Sequence, residues 1–290
     1  QVKPDIIISV PLIIEKIYKT KLKPIADKTI VKMLLKAPII DTMLKNKILS
    51  ALIESFGGRL YEIIIGGAAM NKEVETFLKK IGFPYTIGYG MTECGPIIGY
   101  EDWSKHKLGS CGKTVPRMEV KIDSADPAKI VGEILVRGAN VMMGYYKNEE
   151  ATKAAFTEDG WLRTGDLGLK DKNGNIYIKG RSKNMILGAN GQNIYPEEIE
   201  DVLNSLEYVN ESLVKEDNGK LVALVFLDQD RLDSKHISSS SYSEILEQIK
   251  QQANSQLANY EQLSAVFIHE EEFEKTPKRS IKRYLYTTKR

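Results

Sequence analysis

Apolar positions along this chain follow two periods. Residues 5–10 and 60–65 are short β-branched runs without polar alternation, and residues 83–87 form a third run with aromatic members, a pattern that predicts strands buried on both faces of a parallel sheet. Other stretches repeat at three- and four-residue steps. Leu44, Ile48, Leu49, Leu52, Ile53 and Phe56 predict a helix over 41–56 that stops at Gly57-Gly58. Val74, Phe77, Leu78 and Ile81 predict another, opened by Asn71 as N-cap. Residues 16–37 also read as helical, with their lysines on a solvated face. From Gly109 the pattern shortens to alternating strands over 119–122, 132–137 and 176–179, separated by Asp, Gly, Asn and Pro turns, which predicts a small antiparallel barrel or sandwich. Beyond it lie a helix opened by Pro196 and running through Ile199, Val202, Leu203 and Leu206, a strand over 221–227, a helix with Ser241 and Glu244 spaced as a capping box, and a last strand over 265–268. The fold class is therefore α/β: a parallel sheet with helices, a β-rich section, and a compact α+β module at the end.

Composition narrows the function classes. With 42% hydrophobic and 28% charged residues, the 290 positions suit an ordinary globular chain of about two domains. The net charge of +2, from 41 basic and 39 acidic side chains, gives no global field that would recruit nucleic acid. Cys94 and Cys111 are too few for a disulfide framework, and His106, His236 and His269 are scattered, so neither a zinc site nor a secreted scaffold is expected and a reduced, cytoplasmic setting fits. The longest apolar run, residues 6–14, is broken by Pro11 and falls short of the ~20 residues a membrane span needs; peripheral membrane contact stays compatible with it. Because the chain opens at Gln1, it reads as a piece of a longer protein.

The densest chemistry sits in Gly88-Tyr89-Gly90-Met91-Thr92-Glu93-Cys94-Gly95-Pro96, directly after the run 83–87. Glycines allow close backbone approach to a ligand, Tyr89 offers a flat face, Thr92 a hydroxyl donor, and Glu93 a hard oxygen of the kind Mg²⁺ prefers. These are parts of a nucleotide site at the carboxyl end of a strand, where ligands bind in open α/β sheets. Residues 60–65 run in the same way into Gly66-Gly67-Ala68-Ala69.

Two later stretches give the loop a context: Trp161-Leu162-Arg163-Thr164-Gly165-Asp166-Leu167-Gly168, and Gly180-Arg181-Ser182-Lys183-Asn184-Met185-Ile186 running on through Gly188, Gly191 and Pro196. In this order the three stretches resemble the acyl-adenylate-forming family, which includes acyl-CoA synthetases, luciferases and the adenylation domains of peptide synthetases. Lys-Pro-Asp-Ile-Ile-Ile-Ser-Val-Pro over 3–11 looks most like long-chain fatty acid:CoA ligases. The resemblance implies a large α/β AMP-binding domain to residue 104, a β-barrel-like subdomain over 105–181 and a small mobile α+β domain over 182–290. It implies ATP, Mg²⁺ and CoA as cofactor and co-substrates, a fatty acid as substrate, and two half-reactions, carboxylate plus ATP to acyl-AMP, then thiol displacement of AMP. Gly67, Ala68 and Ala69 would edge the adenine and acyl chain. Tyr89, Gly90, Thr92 and Glu93 would hold adenine, α-phosphate and metal. Asp166 would bind the ribose hydroxyls, Arg181 the ribose and phosphate, and Gly191 would leave room for the pantetheine arm of CoA, with Lys183 as the hinge.

The chain departs from the family in two places. The upstream Ser/Thr/Gly-rich phosphate loop is not found in these residues, so these residues by themselves are not expected to form acyl-AMP. The family's terminal Gly-Lys pair is matched by Arg279-Ser280, and a serine supplies no positive charge. Read as an extended segment, 278–282 places Lys278, Ser280 and Lys282 on one face, so either lysine could replace the missing one, Lys282 being favoured because Lys278 sits at the Pro277 turn. Rival readings are an adenylation domain that loads a carrier protein, a luciferase-like oxygenase, and a non-catalytic AMP- or acyl-binding module.

Overall fold

The computed structural model describes residues 3–22, 38–188, 190–276 and 280–287. The chain divides into two compact units, Gln1–Thr164 with Gly168–Ile178, and Gly165–Leu167 with Lys179–Arg290.

The first unit opens with strand β1 (Ile6–Ser9), helix α1 (Pro11–Ile17), a π-helical turn (Tyr18–Leu22), helix α2 (Pro38–Ser55), strand β2 (Glu62–Ile65), helix α3 (Lys72–Ile81) and strand β3 (Tyr85–Ile87). Most of the segment expected to be helical after residue 22 lies outside the described residues. The three strands form a parallel sheet in the order β1-β2-β3, with Ile7 opposite Ile63 and Ile63 opposite Tyr85. Ile63 and Ile65 are fully buried, each contributing about 1.5–3 kcal/mol of hydrophobic stabilisation. β1 departs from the expectation of two buried faces: Ile7 packs on the core, but Ile6 is 54% and Ile8 82% exposed. As an edge strand, β1 presents its alternate side chains to a face that no described element covers. α3 forms as its sequence predicts. Asn71 Oδ1 accepts from the N–H groups of Glu73 and Val74, Gly82 closes the helix at φ +71°, and Val74, Leu78 and Ile81 are buried.

The β-rich section contains two sheets. One, antiparallel throughout, contains β4 (Tyr89–Gly90), β5 (Ile97–Tyr100) and β6 (Lys113–Thr114). The other contains β7 (Met118–Asp123), β8 (Gly132–Gly138), β9 (Leu162–Lys170) and β10 (Ile176–Arg181) in the order β10-β9-β8-β7, with β7 and β8 paired antiparallel and helix α4 (Glu149–Ala155) between β8 and β9 in sequence. A bridge between Lys113 and Asn175 ties β6 to the segment entering β10.

In the second unit the hairpin β11 (Ile186–Leu187) and β12 (Asn193–Ile194) precedes α5 (Pro196–Ser205), β13 (Val209–Asp217), β14 (Lys220–Leu227), α6 (Gln229–Ser234), α7 (Tyr242–Asn254), β15 (Ala265–Ile268) and α8 (Tyr284–Thr287). β14 lies between β13, antiparallel, and β15, parallel. Ile199 and Leu203 of α5 and Ile245, Ile249 and Ala253 of α7 share a core with Val214, Ala223, Val225 and Leu227 of the sheet. The capping box expected at Ser241 is not formed. A 3-10 turn, Ser239–Ser241, runs straight into α7 and leaves Ser241 in a helical conformation, so its side chain makes no cap hydrogen bond. Among the described residues no helix is long and apolar enough to cross a membrane.

Candidate functional site

Both glycine-bearing loops leave the carboxyl ends of adjacent parallel strands. The Gly66 N–H donates to the carbonyl of Ser9 and the Gly88 N–H to that of Ile65, which extends the ladder by one residue on each strand. A Cβ built on Gly66 would lie 3.3 Å from the Gly88 carbonyl oxygen, so the two loops run side by side. Gly67, at φ +91°, Ala68 and Ala69 are exposed and form a shelf of small residues beyond β2.

Beyond β3 the chain turns through β4 into a 3-10 turn, Thr92–Cys94. Gly90 is required by its own chain: a Cβ there would sit 2.1 Å from the Pro96 carbonyl oxygen, which also accepts from the Met91 N–H at 2.8 Å. Tyr89 and Cys94 are buried; Thr92 is exposed and Glu93 partly so. Burial, and to a smaller extent the neighbouring Glu93, push the Cys94 thiol up to about 11, which leaves it an unreactive core group at neutral pH.

A segment distant in sequence holds this turn. Tyr145 Oη donates to Glu93 Oε1 at 3.0 Å, the Met142 N–H donates to the Glu93 carbonyl at 2.7 Å, and Asn140 Nδ2 donates to the carbonyls of Cys94 at 2.5 Å and Ile97 at 3.1 Å. Burial, then the Glu93 carboxylate it bonds, raise the Tyr145 phenol above its ordinary pKa, so it remains a donor. Sequence reading missed Tyr145 and Asn140. No spacing rule links a residue to one about fifty positions away through a loop.

Behind β3 a buried polar cluster props the strand. Glu75 Oε1 lies 3.2 Å from His106 Nε2 and accepts from the Gly109 N–H at 2.9 Å. Thr86 of β3 lies 3.3 Å from His106 Nδ1 and donates to the Glu101 carbonyl at 2.6 Å.

The remaining expected residues belong to the second unit. Asp166 is buried at 8% exposure inside β9, and its Oδ1 accepts from Arg181 Nη1 at 2.5 Å. The Ser182 N–H donates to the Gly165 carbonyl, and Lys183 is exposed beside them. Asn184 Nδ2 donates to Glu197 Oε1 at 2.5 Å, and Lys179 Nζ pairs with Glu198 at 2.7 Å, so both ends of the 179–184 segment reach the first turn of α5. Gly191 lies in the β11–β12 connection. Its left-handed backbone, φ +78°, explains the glycine better than crowding does, since a Cβ there would meet nothing within 4 Å.

The basic tail is not an extended strand with alternating faces. Lys275 bridges Ile281, the Thr276 N–H donates to the Ser280 carbonyl and the Lys282 N–H to the Glu274 carbonyl, so residues 274–276 and 280–282 pair antiparallel. Lys282 Nζ pairs with Glu274 at 3.1 Å, and Lys278 lies outside the described residues.

Mg²⁺ is usually held by one or two carboxylates together with substrate phosphates. Glu93 fits such a site: its Oε1 is engaged by Tyr145, and its Oε2 has no hydrogen-bond partner among the described residues. No group of three His, Cys, Asp or Glu side chains able to hold a metal without such phosphates occurs among them.

Family models place the chain. One described as AMP-binding enzyme matches residues 1–146, and one described as AMP-binding enzyme C-terminal domain matches residues 183–289. The long-chain-fatty-acid–CoA ligase FadD15 of Mycobacterium bovis is 32% identical over 256 residues, 80% of this chain and 41% of that protein. A 2-succinylbenzoate–CoA ligase of Bacillus pumilus is 40% identical over 181 residues, 60% of this chain and 36% of that protein. Among solved structures, an o-succinylbenzoate CoA synthetase from Bacillus subtilis in complex with its acyl-adenylate intermediate is similar at TM-score 0.68 and 30% identity, over 84% of this chain and 50% of that one. The chain thus spans half or less of the length of these relatives. With one family model on the parallel sheet and its glycine loops and the second on the α+β unit, the protein belongs to the AMP-binding enzyme family.

Proposed function

We propose that the complete protein is an ATP-dependent acid:CoA ligase that converts a long-chain fatty acid to acyl-AMP and pyrophosphate and then passes the acyl group to the thiol of CoA. The observation that carries this reading is the placement of Glu93 on a pinned turn in the loop that leaves the carboxyl end of β3, where Gly88 runs beside Gly66 at the end of β2. In open α/β sheets this edge is where ligands bind.

The residues divide the work as follows. Gly67, Ala68 and Ala69 leave space along the shelf for the adenine and the acyl chain, with Tyr89 and Gly90 shaping the adenine side. Thr92 offers a hydroxyl to the α-phosphate, and Glu93 holds Mg²⁺. When bound, the cation offsets the charge that grows on the phosphate as the carboxylate attacks. Asp166 accepts from the ribose hydroxyls, for which a carboxylate has two acceptor oxygens, and Arg181 reaches ribose and phosphate. Gly191 borders the pantetheine arm of CoA. Lys282, with Lys278 as the alternative, supplies the positive charge to the reacting oxygens during adenylation. Lys183 is the pivot between a large domain ending at 181, with its β-rich part from 105, and a small domain over 182–290.

Support for a long-chain acid comes from the FadD15 match, which runs over four-fifths of the chain. A second reading, an aromatic acid of the 2-succinylbenzoate type, is favoured by the higher identity of the Bacillus pumilus ligase over a shorter stretch. ATP–pyrophosphate exchange by the complete protein, run with fatty acids of graded length and with 2-succinylbenzoate, separates the two. Exchange that rises with chain length supports the first reading; stimulation by 2-succinylbenzoate alone replaces it with the second. Exchange without CoA acceptance would point to a carrier-protein partner. No acid-dependent exchange at all would leave a binding module.

A further inference from the structure

We propose that Tyr145 is a positioning residue for Glu93, and that residues 140–145 form a strap that fixes which carboxylate oxygen is offered to a bound cation. The proposal rests on the reading of Glu93 as metal ligand. A glutamate on a short turn has three side-chain torsions to settle before it can serve as a ligand, and the turn itself contributes no side-chain partner. Tyr145 supplies one, donating to Oε1 at 3.0 Å and leaving Oε2 as the oxygen without a partner among the described residues. A hydrogen bond from a phenol to a carboxylate is charge-assisted and directional, so it restricts carboxylate rotation.

The donor is itself held. The Tyr145 N–H donates to Thr152 Oγ1 at 2.8 Å, and that hydroxyl donates to the Asn148 carbonyl at 2.8 Å, so α4 anchors the strap at one end. Gly144 fits against Thr152, whose Cγ2 would lie 2.7 Å from an added Cβ. At the other end Met142 and Asn140 hold the backbone of the Glu93 turn at two carbonyls, those of Glu93 and Cys94, and Asn140 also bonds the Ile97 carbonyl at the start of β5. The strap therefore constrains both the backbone and the side chain of one residue. Neighbouring Tyr146 is 88% exposed and makes no such contact, which makes it the natural control.

The test is equilibrium binding of Mn²⁺ to the complete protein in the presence of α,β-methylene ATP, read from the electron paramagnetic resonance signal of free Mn²⁺. Partners that orient a metal ligand commonly contribute 10–100-fold to metal affinity. Tyr145→Phe keeps the ring and should weaken Mn²⁺ binding by about 10-fold, whereas Tyr146→Phe should leave it within about twofold of the parent. In a Glu93→Gln background, Tyr145→Phe should change nothing further. Mn²⁺ affinity that survives Tyr145→Phe but falls in Glu93→Gln overturns the positioning role while keeping Glu93 as ligand. Affinity unchanged in Glu93→Gln removes the ligand reading, and the proposal with it.

Discussion

Arg283 closes a fork on Glu200: Nη1 lies 2.6 Å from Oε1 and 2.8 Å from Oε2, while Nη2 donates to the Val214 carbonyl at 2.7 Å. The Val214 N–H in turn donates to Glu200 Oε1 at 2.6 Å, so the end of the tail, α5 and β13 meet in one buried polar knot. Arg283 thereby holds the chain directly after Lys282 against α5 and β13.

Burial pushes the Glu200 carboxyl up to about 7, against the opposing pull of Arg283 and the Val214 N–H. A carboxyl with its folded pKa raised favours the folded state below its ordinary value and loses that contribution as pH climbs through the raised one. Arg283→Met removes the main opposing charge and raises the folded pKa further. Its destabilisation should therefore be smallest near about pH 5, where Glu200 can take a proton, and reach about 3–5 kcal/mol near about pH 8. Urea unfolding at the two pH values measures this; an equal deficit at both would show that Glu200 does not titrate in the folded chain.

Gly90→Ala should damage the 88–96 loop selectively. The new methyl meets backbone, not a flexible side chain, so the turn has to shift, at about 1–3 kcal/mol. ATP binding by calorimetry should fall while the circular dichroism spectrum stays that of the parent. Gly67→Ala has open space but a left-handed backbone, and should act through strain alone.

Asp166→Ala tests the ribose role. Arg181 is more than half exposed, so their ion pair should contribute under about 1 kcal/mol to stability. Two lost charge-assisted hydrogen bonds should weaken ATP binding by roughly 10²–10⁴-fold. A thermal shift without a change in affinity would make the pair structural only.

For the tail, Lys282→Ala should depress ATP–pyrophosphate exchange by ~10²–10³ and spare CoA transfer from preformed acyl-AMP, because one aimed donor is lost from the first step only. Lys282 is paired with Glu274, so Glu274→Gln should not reduce exchange. If Lys278→Ala gives the split instead, the role moves to that residue.

Local signals were legible in the sequence. Asn71, Gly57-Gly58 and Pro196 mark helix ends where the structure has them, and 265–268 is a strand at the expected residues. What was hidden depends on partners distant in sequence or on which faces neighbours cover. β9 carries Gly165 and Gly168 and lacks clean alternation, so the strand that buries Asp166 did not stand out; a Cβ on Gly168 would meet the Tyr177 carbonyl at 2.4 Å, a neighbour no local pattern reveals. β1 looked buried because its isoleucines are continuous, yet only a sheet neighbour on each side and cover on both faces would bury them. Ser241 has the spacing of a cap but enters its helix from a 3-10 turn. In the site, the residues of the glycine loops were legible as a motif, whereas Tyr145, which bonds Glu93, and Asn140, which bonds the Cys94 carbonyl beside it, were not.

We propose above all that the complete protein activates a carboxylic acid by adenylation. The most direct measurement is a single-turnover reaction of the complete protein with ATP and a long-chain fatty acid in the absence of CoA, quenched and analysed by mass spectrometry. Acyl-AMP and pyrophosphate in equal amounts, converted to acyl-CoA and AMP when CoA is added, is the result expected. ADP and phosphate as products, or ATP left intact whichever acid is supplied, would contradict it.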